Sequence, residues 1–212
     1  MAEPFISTPV MAATAQSPIA DALLPGEYGN LAIGAQVALS ERFGLAICDV
    51  CAWPGLETKT ANAIKRATGL AVTKRRDAVG EAAQGFQHAP GRWTVIAEDP
   101  SLAERLTRAV SANATVVDLA HGRTCLRIAG EAGTSVLAKL FAIDFAEKAF
   151  PVAKGLATSH HAVLAQIQRV DAQTFDLLVF RSYARTFFHA LTRASEEFGY
   201  RIVPPRAGEP ET

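Results

Sequence analysis

Residues 115–141 read TVVDLAHGRTCLRIAGEAGTSVLAKLF, and the order of patterns within them decides the fold class. Thr115 to Leu119 and Thr124 to Ala129 are short strands, joined by a link holding His121 and Gly122, and Gly130 ends the second. Ala132, Val136, Leu137, Leu140 and Phe141 then recur at the spacing of one helix face. Further on, Val163, Ala165 and Ile167 alternate with Gln166 and Gln168, as a half-buried strand does. Phe175 to Phe180 is another strand, antiparallel to it across a turn at Asp171 to Gln173. Ser182 is placed to cap a last helix with the stripe Tyr183, Phe187, Leu191, Ala194 and Phe198, and Gly199 is its expected stop.

Upstream, the same alternation starts at Gly44. Leu45 to Cys51 reads as a buried strand, and Pro54-Gly55 as a turn. Leu56, Thr60, Ala63, Ile64 and Ala67 form a helix stripe that Gly69 closes. Residues 71–91 read as loop with one weak strand, and Trp93 to Ala97 as a strand. Asp99-Pro100 opens a helix whose buried stripe is Leu102, Leu106 and Ala109. The chain thus runs β-α-β-α-β, then β-α-β-β-α. The expected class is α+β: two α/β plait-like units with antiparallel sheets, each covered on one face by helices. The expected organisation is an N-terminal arm (1–20), a first unit (21–113), a second unit (114–203) and a tail (204–212).

The 212 residues are 49% hydrophobic and carry 21 basic and 21 acidic side chains. Such a chain buries a real core, and its balanced charge disfavours a dominant nucleic-acid or anionic-membrane surface. No apolar run approaches the roughly 18 residues of a membrane span. Three cysteines make no disulfide framework, so a reduced cytoplasm is the expected setting. Met1 to Gln16 lacks the charged start of a secretory signal and reads as an arm that orders against a partner. The residues after Val203 (PPRAGEPET) read as non-core.

Cys48-Asp49-Val50-Cys51 has the C-x-x-C spacing of a zinc clamp or redox pair. Zinc needs two further ligands, for which His121, Cys125, His160 and His161 are the available stock. On a strand, however, residues three apart face opposite sides, and buried free thiols account for the pair. His160-His161 reads as the opening of a strand, its rings on opposite faces. His121, in a tight turn, is placed where a general base can sit, but no Ser or Cys nucleophile accompanies it. Neither G-x-G-x-x-G nor a Walker loop occurs. Lys74-Arg75-Arg76 beside Asp77 reads as a solvated loop, or a contact with an acidic partner. Arg181, before Ser182 and Tyr183, either pairs with an acid across an interface or covers the sheet edge. Phe187 and Phe188 are adjacent on their helix. Phe188 is therefore expected to face a partner, and Phe188→Asp to release the chain from it without unfolding.

The stretch from Val116 to Phe198 resembles the gamma subunit of heterotetrameric sarcosine oxidase, a family that includes the gamma-like subunit of N-methylglutamate dehydrogenase. The matching marks are Asp118-Leu119, Arg123, Leu126-Arg127-Ile128 with Gly130, Leu137, Ile143-Asp144, Phe150-Pro151, Arg181-Ser182 and Glu197-Phe198-Gly199. Ser17-Pro18-Ile19, Leu24-Pro25-Gly26 and Ala89-Pro90-Gly91 with Trp93 also fit. The resemblance implies a fold related to the folate-binding module of the aminomethyltransferases. It implies three partners: a large alpha subunit with dinucleotide and folate modules, a flavin-bearing beta subunit and a small zinc-binding delta subunit. FAD, FMN, NAD, tetrahydrofolate and zinc are then expected on those partners. No catalytic, cofactor-binding or metal residue is expected on this chain. The implied reaction is oxidative demethylation of an N-methyl amino acid, with the one-carbon unit captured by tetrahydrofolate. The alternative is a stand-alone folate-binding, aminomethyltransferase-like protein.

Overall fold

The computed structural model describes residues 16–72 and 77–204. Most of the expected arm, the basic cluster Lys74-Arg75-Arg76 and most of the tail lie outside them. The end of the arm is not free. Ile19 is fully buried in the core, the Ser17 hydroxyl donates to Glu41, and Asp21 pairs with Arg185 at 2.7 Å.

The described residues form twelve strands and four α-helices. They are β1 (Gly26–Tyr28), β2 (Val37–Arg42), β3 (Ala46–Ala52), α1 (Glu57–Thr68), β4 (Ala78–Val79), β5 (Ala83–Ala89), β6 (Arg92–Ala97) and α2 (Leu102–Val110), then β7 (Ala114–Asp118), β8 (Arg123–Ala129), α3 (Gly133–Leu140), β9 (Gly155–His160), β10 (Val163–Asp171), β11 (Thr174–Phe180), α4 (Ala184–Ser195) and β12 (Tyr200–Ile202). Seven strands form one sheet in the order β1-β12-β2-β8-β11-β10-β9, and five form another in the order β4-β5-β6-β3-β7. All pairs are antiparallel except β12 with β2.

The sheets do not divide the chain between residues 113 and 114. Strand β7 pairs with β3 in the five-stranded sheet, whereas β1 and β2 belong to the seven-stranded one. The backbone therefore crosses between sheets twice, at Phe43–Leu45 and at Leu119–Gly122. Both crossings lie at one end of the molecule, where Leu119 N–H donates to Ile47 O at 2.7 Å.

Alternation along each strand sorts the cores. Ala46, Cys48 and Val50 of β3 and Trp93, Val95 and Ala97 of β6 face α1 and α2. Leu126 and Ile128 of β8 and Phe175, Leu177 and Val179 of β11 face α3 and α4. Leu45, Ile47, Phe86, Ile96, Cys125 and Leu178 meet between the sheets. The layers run helices, sheet, sheet, helices. Where β9 meets β5 a Cβ on Gly155 would lie 2.3 Å from Phe86 Cγ, so only glycine lets the two strands approach there.

Several local expectations are corrected. Residues 83–89, inside the expected loop, form a full strand. Their sequence, AQGFQHA, has no β-branched residue, and pairing with β6 plus complete burial of Phe86 supplies the stability. Ser182 caps nothing: Arg181–Tyr183 is a 3₁₀ turn, and α4 begins without a side-chain cap. The α4 stripe is Ala184, Phe187, Phe188, Leu191 and Ser195, leaving Tyr183 exposed. Phe188, only 3% exposed, belongs to this chain's own core. Adjacent helical positions are about 100° apart, which a wide apolar stripe accommodates. In α2, Val110 rather than Ala109 completes the buried stripe. The helix expected at Asp99-Pro100 begins two residues later, with Ser101 at the N-cap position and no side-chain cap; Asp99 precedes it, accepting from the Ser101 amide at 2.8 Å.

Candidate functional site

The seam between the sheets carries the densest group of buried charges. Asp176 on β11 is 1% exposed. Its carboxylate accepts from Arg127 Nε at 2.7 Å and Arg127 Nη2 at 3.0 Å, from Arg42 Nη1 at 2.8 Å, and from Gln84 Nε2 at 2.9 Å. Gln84 lies on β5, so this knot ties the two sheets together. Thr94 Oγ1 donates to Gln166 at 2.9 Å, and Gln168 Nε2 to the carbonyls of Gly85 at 3.3 Å and Ala153 at 2.8 Å. A cleft of about 360 Å³ opens beside the knot, between Arg42, Gln84, Glu98, Arg127 and Thr174. Cys125 is sealed in the same layer. Burial and the charge of Asp176 push its thiol well above the usual range.

A second carboxylate, Asp49 on β3, faces the seam at 9% exposure. It accepts from His88 Nε2 at 3.0 Å and from Arg92. Burial alone pushes this carboxyl up, but the hydrogen bonds and charges of His88 and Arg92 outweigh it and hold the pKa below the ordinary value. Sequence reading missed this group. Its one signal is an aspartate in the middle of the apolar run LAICDVC, residues 45–51.

At the crossings a cleft of about 350 Å³ is lined by Glu41, Phe43, Asp118, His121, Arg123 and Arg181, among others. The Arg123 guanidinium lies 3.7 Å from the centroid of the Phe180 ring, and its Nε is buried without a hydrogen-bond partner among the described residues. Burial draws its pKa down, with the charge of Asp49 acting the other way. Arg181 donates to the Gln16 carbonyl and acts through space on Glu41. Burial raises the Glu41 carboxyl pKa, opposed by the Ser17 hydrogen bond and by Arg181.

The remaining residues singled out in the sequence are dispersed. Cys48 is fully buried towards the helices, its thiol pushed up to about 12 by burial and by the charge of Asp118, while Cys51 is partly exposed. His160 ends β9 rather than opening a strand. His161 follows in the turn at φ 49°, so the rings meet at 4.4 Å between centroids instead of facing apart. His160 Nδ1 donates to Leu140 O at 2.9 Å. His121 is exposed. Asp77 is a tether rather than part of a solvated loop: it accepts from the Gln87 amide at 2.9 Å and the Gly155 amide at 2.8 Å. Among the described residues no three of His, Cys, Asp and Glu converge to hold a metal, and no helix is long and apolar enough to cross a membrane.

Comparison with known proteins decides the family. The model of the sarcosine oxidase, gamma subunit family matches residues 55–197. The chain belongs to the sarcosine oxidase gamma subunit family. A chain of the heterotetrameric sarcosine oxidase from Corynebacterium sp. U-96, solved in complex with pyrrole 2-carboxylate, has the same fold. It superposes with a TM-score of 0.71 and 26% identity, covering 87% of this chain and 96% of that one. The glycine cleavage system aminomethyltransferase T of Bartonella henselae shares the fold at a TM-score of 0.56 and 16% identity, over 76% of this chain and 47% of that one. No curated protein matches by sequence. The family match takes in the second crossing, Arg123, Asp176 and Arg181, while β1, β2 and β12 lie outside it.

Proposed function

We propose that this chain is the gamma subunit of a heterotetrameric flavin-dependent oxidoreductase that oxidatively demethylates an N-methyl amino acid, of the sarcosine or N-methylglutamate type, with one-carbon transfer to tetrahydrofolate. Its companions are alpha, beta and delta subunits, which hold FAD, FMN, NAD, tetrahydrofolate and zinc. The observation that carries this reading is the near end-to-end superposition on a chain of a heterotetrameric sarcosine oxidase, joined to the family match. The chain's own task is structural. Asp176 and Asp49 are engaged in holding strands together, and burial keeps the Cys48 and Cys125 thiols protonated. Three free cysteines fit a reducing, cytoplasmic setting.

The test is co-expression with the three companion subunits, followed by affinity capture of this chain and mass measurement. The expected product is one stoichiometric, flavin-coloured complex. Omitting this chain should lower the yield and thermal stability of the remainder without stripping its flavin. A free monomer that alone binds tetrahydrofolate would overturn the reading in favour of the stand-alone, aminomethyltransferase-like alternative.

A further inference from the structure

The cleft at the crossings differs from the rest of the seam in how its cations are satisfied. Arg42, Arg127 and Arg92 each hold a carboxylate of this chain. Arg123 and Arg181, which line the crossing cleft beside Glu41 and Asp118, feel Asp49 and Glu41 only through space and form no ion pair among the described residues. Arg123 is also held in place over the Phe180 ring, with its buried Nε unpartnered among the described residues. A guanidinium that is already desolvated and oriented gains from a carboxylate what a mobile surface arginine does not. Beside it stand two exposed aromatic rings, Phe43 at 40% and Phe180 at 37%. Phe43 lines the cleft with Arg181, Phe180 pairs with Arg123 across β11 and β8, and the Arg181 amide donates to Gly122 O at 3.0 Å, which places the two rings on one rim. Arginine and aromatic side chains bordering a desolvated pocket are the composition of interface hot spots.

We propose that this cleft receives an acidic side chain of a partner subunit, held by Arg123 and Arg181 and covered by contacts with Phe43 and Phe180. The proposal rests on the assembly reading given above. An acid carried on a protein chain is favoured over a free anion, because a small ion leaves the apolar rim uncovered.

The test uses the co-expressed complex and the isolated full chain. Hydrogen exchange of peptides spanning 116–123 and 180–184 should slow on assembly. Arg123→Glu and Arg181→Glu should each weaken assembly about tenfold or more. Wild-type affinity should fall with added salt more steeply than that of either variant. Melting of the isolated variants checks folding. Should Arg123→Glu unfold, the change at the half-buried Arg181 decides, with its own melting curve as the folding check. A wild-type complex in which the cleft exchanges freely, or an Arg181→Glu chain that assembles like wild type, overturns this surface alone. Failure of the wild-type chain to assemble overturns both readings. Saturable binding of acetate or phosphate to the isolated chain, with no protection on assembly, would assign the cleft to a free anion instead.

Discussion

Asp49 shows how one residue converts a local oddity into a pH-dependent tie. It sits in an apolar strand, yet its carboxylate is satisfied by His88 and Arg92, 39 and 43 residues away along the chain. Its folded pKa lies below the ordinary 3.8. The unfolded chain therefore takes up the proton first as acid is added. The stabilisation is fully present above that value and is lost as the pH falls through the folded pKa. Asp49→Asn should be less stable than wild type at neutral pH, with the difference shrinking on acidification below pH 4. Urea titrations at several pH values between about 2 and 7 measure this. A difference that stays constant down to pH 2 would show that the carboxylate charge is not what Asp49 contributes.

At the scale of the element, α4 redraws what its sequence suggests. The spacing from Tyr183 through Phe198 describes a plausible stripe, but the helix turns so that Phe187 and Phe188 both point inward, where Phe187 also meets Phe141 at 5.9 Å between ring centroids. Phe188→Asp is thus a core mutation, not an interface probe. Phe188→Ala should cost about 3–5 kcal/mol from lost burial and the cavity left behind. Phe188→Asp should cost more, because a charge has no partner in that core. Denaturant midpoints of the isolated chain check both. An aspartate variant that melts like wild type would return Phe188 to the surface.

For the whole molecule, the problem solved is how two sheets stay stacked when the layer between them is thin in apolar side chains. The knot at Asp176 joins residues far apart in sequence: Arg42 is 134 positions away and Gln84 is 92. Buried ion pairs add little net stability over apolar replacements, but removing one partner strands the other. Asp176→Ala leaves the Arg42 and Arg127 guanidiniums without their shared carboxylate and should destabilise the fold by about 3–5 kcal/mol. Asp176→Leu with Arg42→Met, which removes the acid and one of its two bases together, should recover part of that loss. Thermal unfolding of the single and double variants measures it, and a double variant whose loss equals or exceeds the sum of the single losses would refute the coupling of Asp176 to Arg42.

What the sequence determined by itself is the class and most of the elements. Period-2 and period-3.6 patterns are local, and where they are strong, as in residues 123–140 and 163–180, they match the observed strands and helix to within a residue or two. The resemblance carried by Arg123, Leu126-Arg127-Ile128 and Glu197-Phe198-Gly199 likewise pointed to the family that the comparison shows. Only the tertiary structure decided the sheet memberships of β2 and β7, the strand at Ala83–Ala89, the inward turn of Phe188 and the pairing of Asp49 and Asp176. The strand at Ala83–Ala89 pairs with the adjacent β6 but packs its Phe86 on Gly155 of β9. Each of these features thus depends on a contact with a segment dozens of residues away, and a linear pattern records which side chains want burial, not which other segment will bury them.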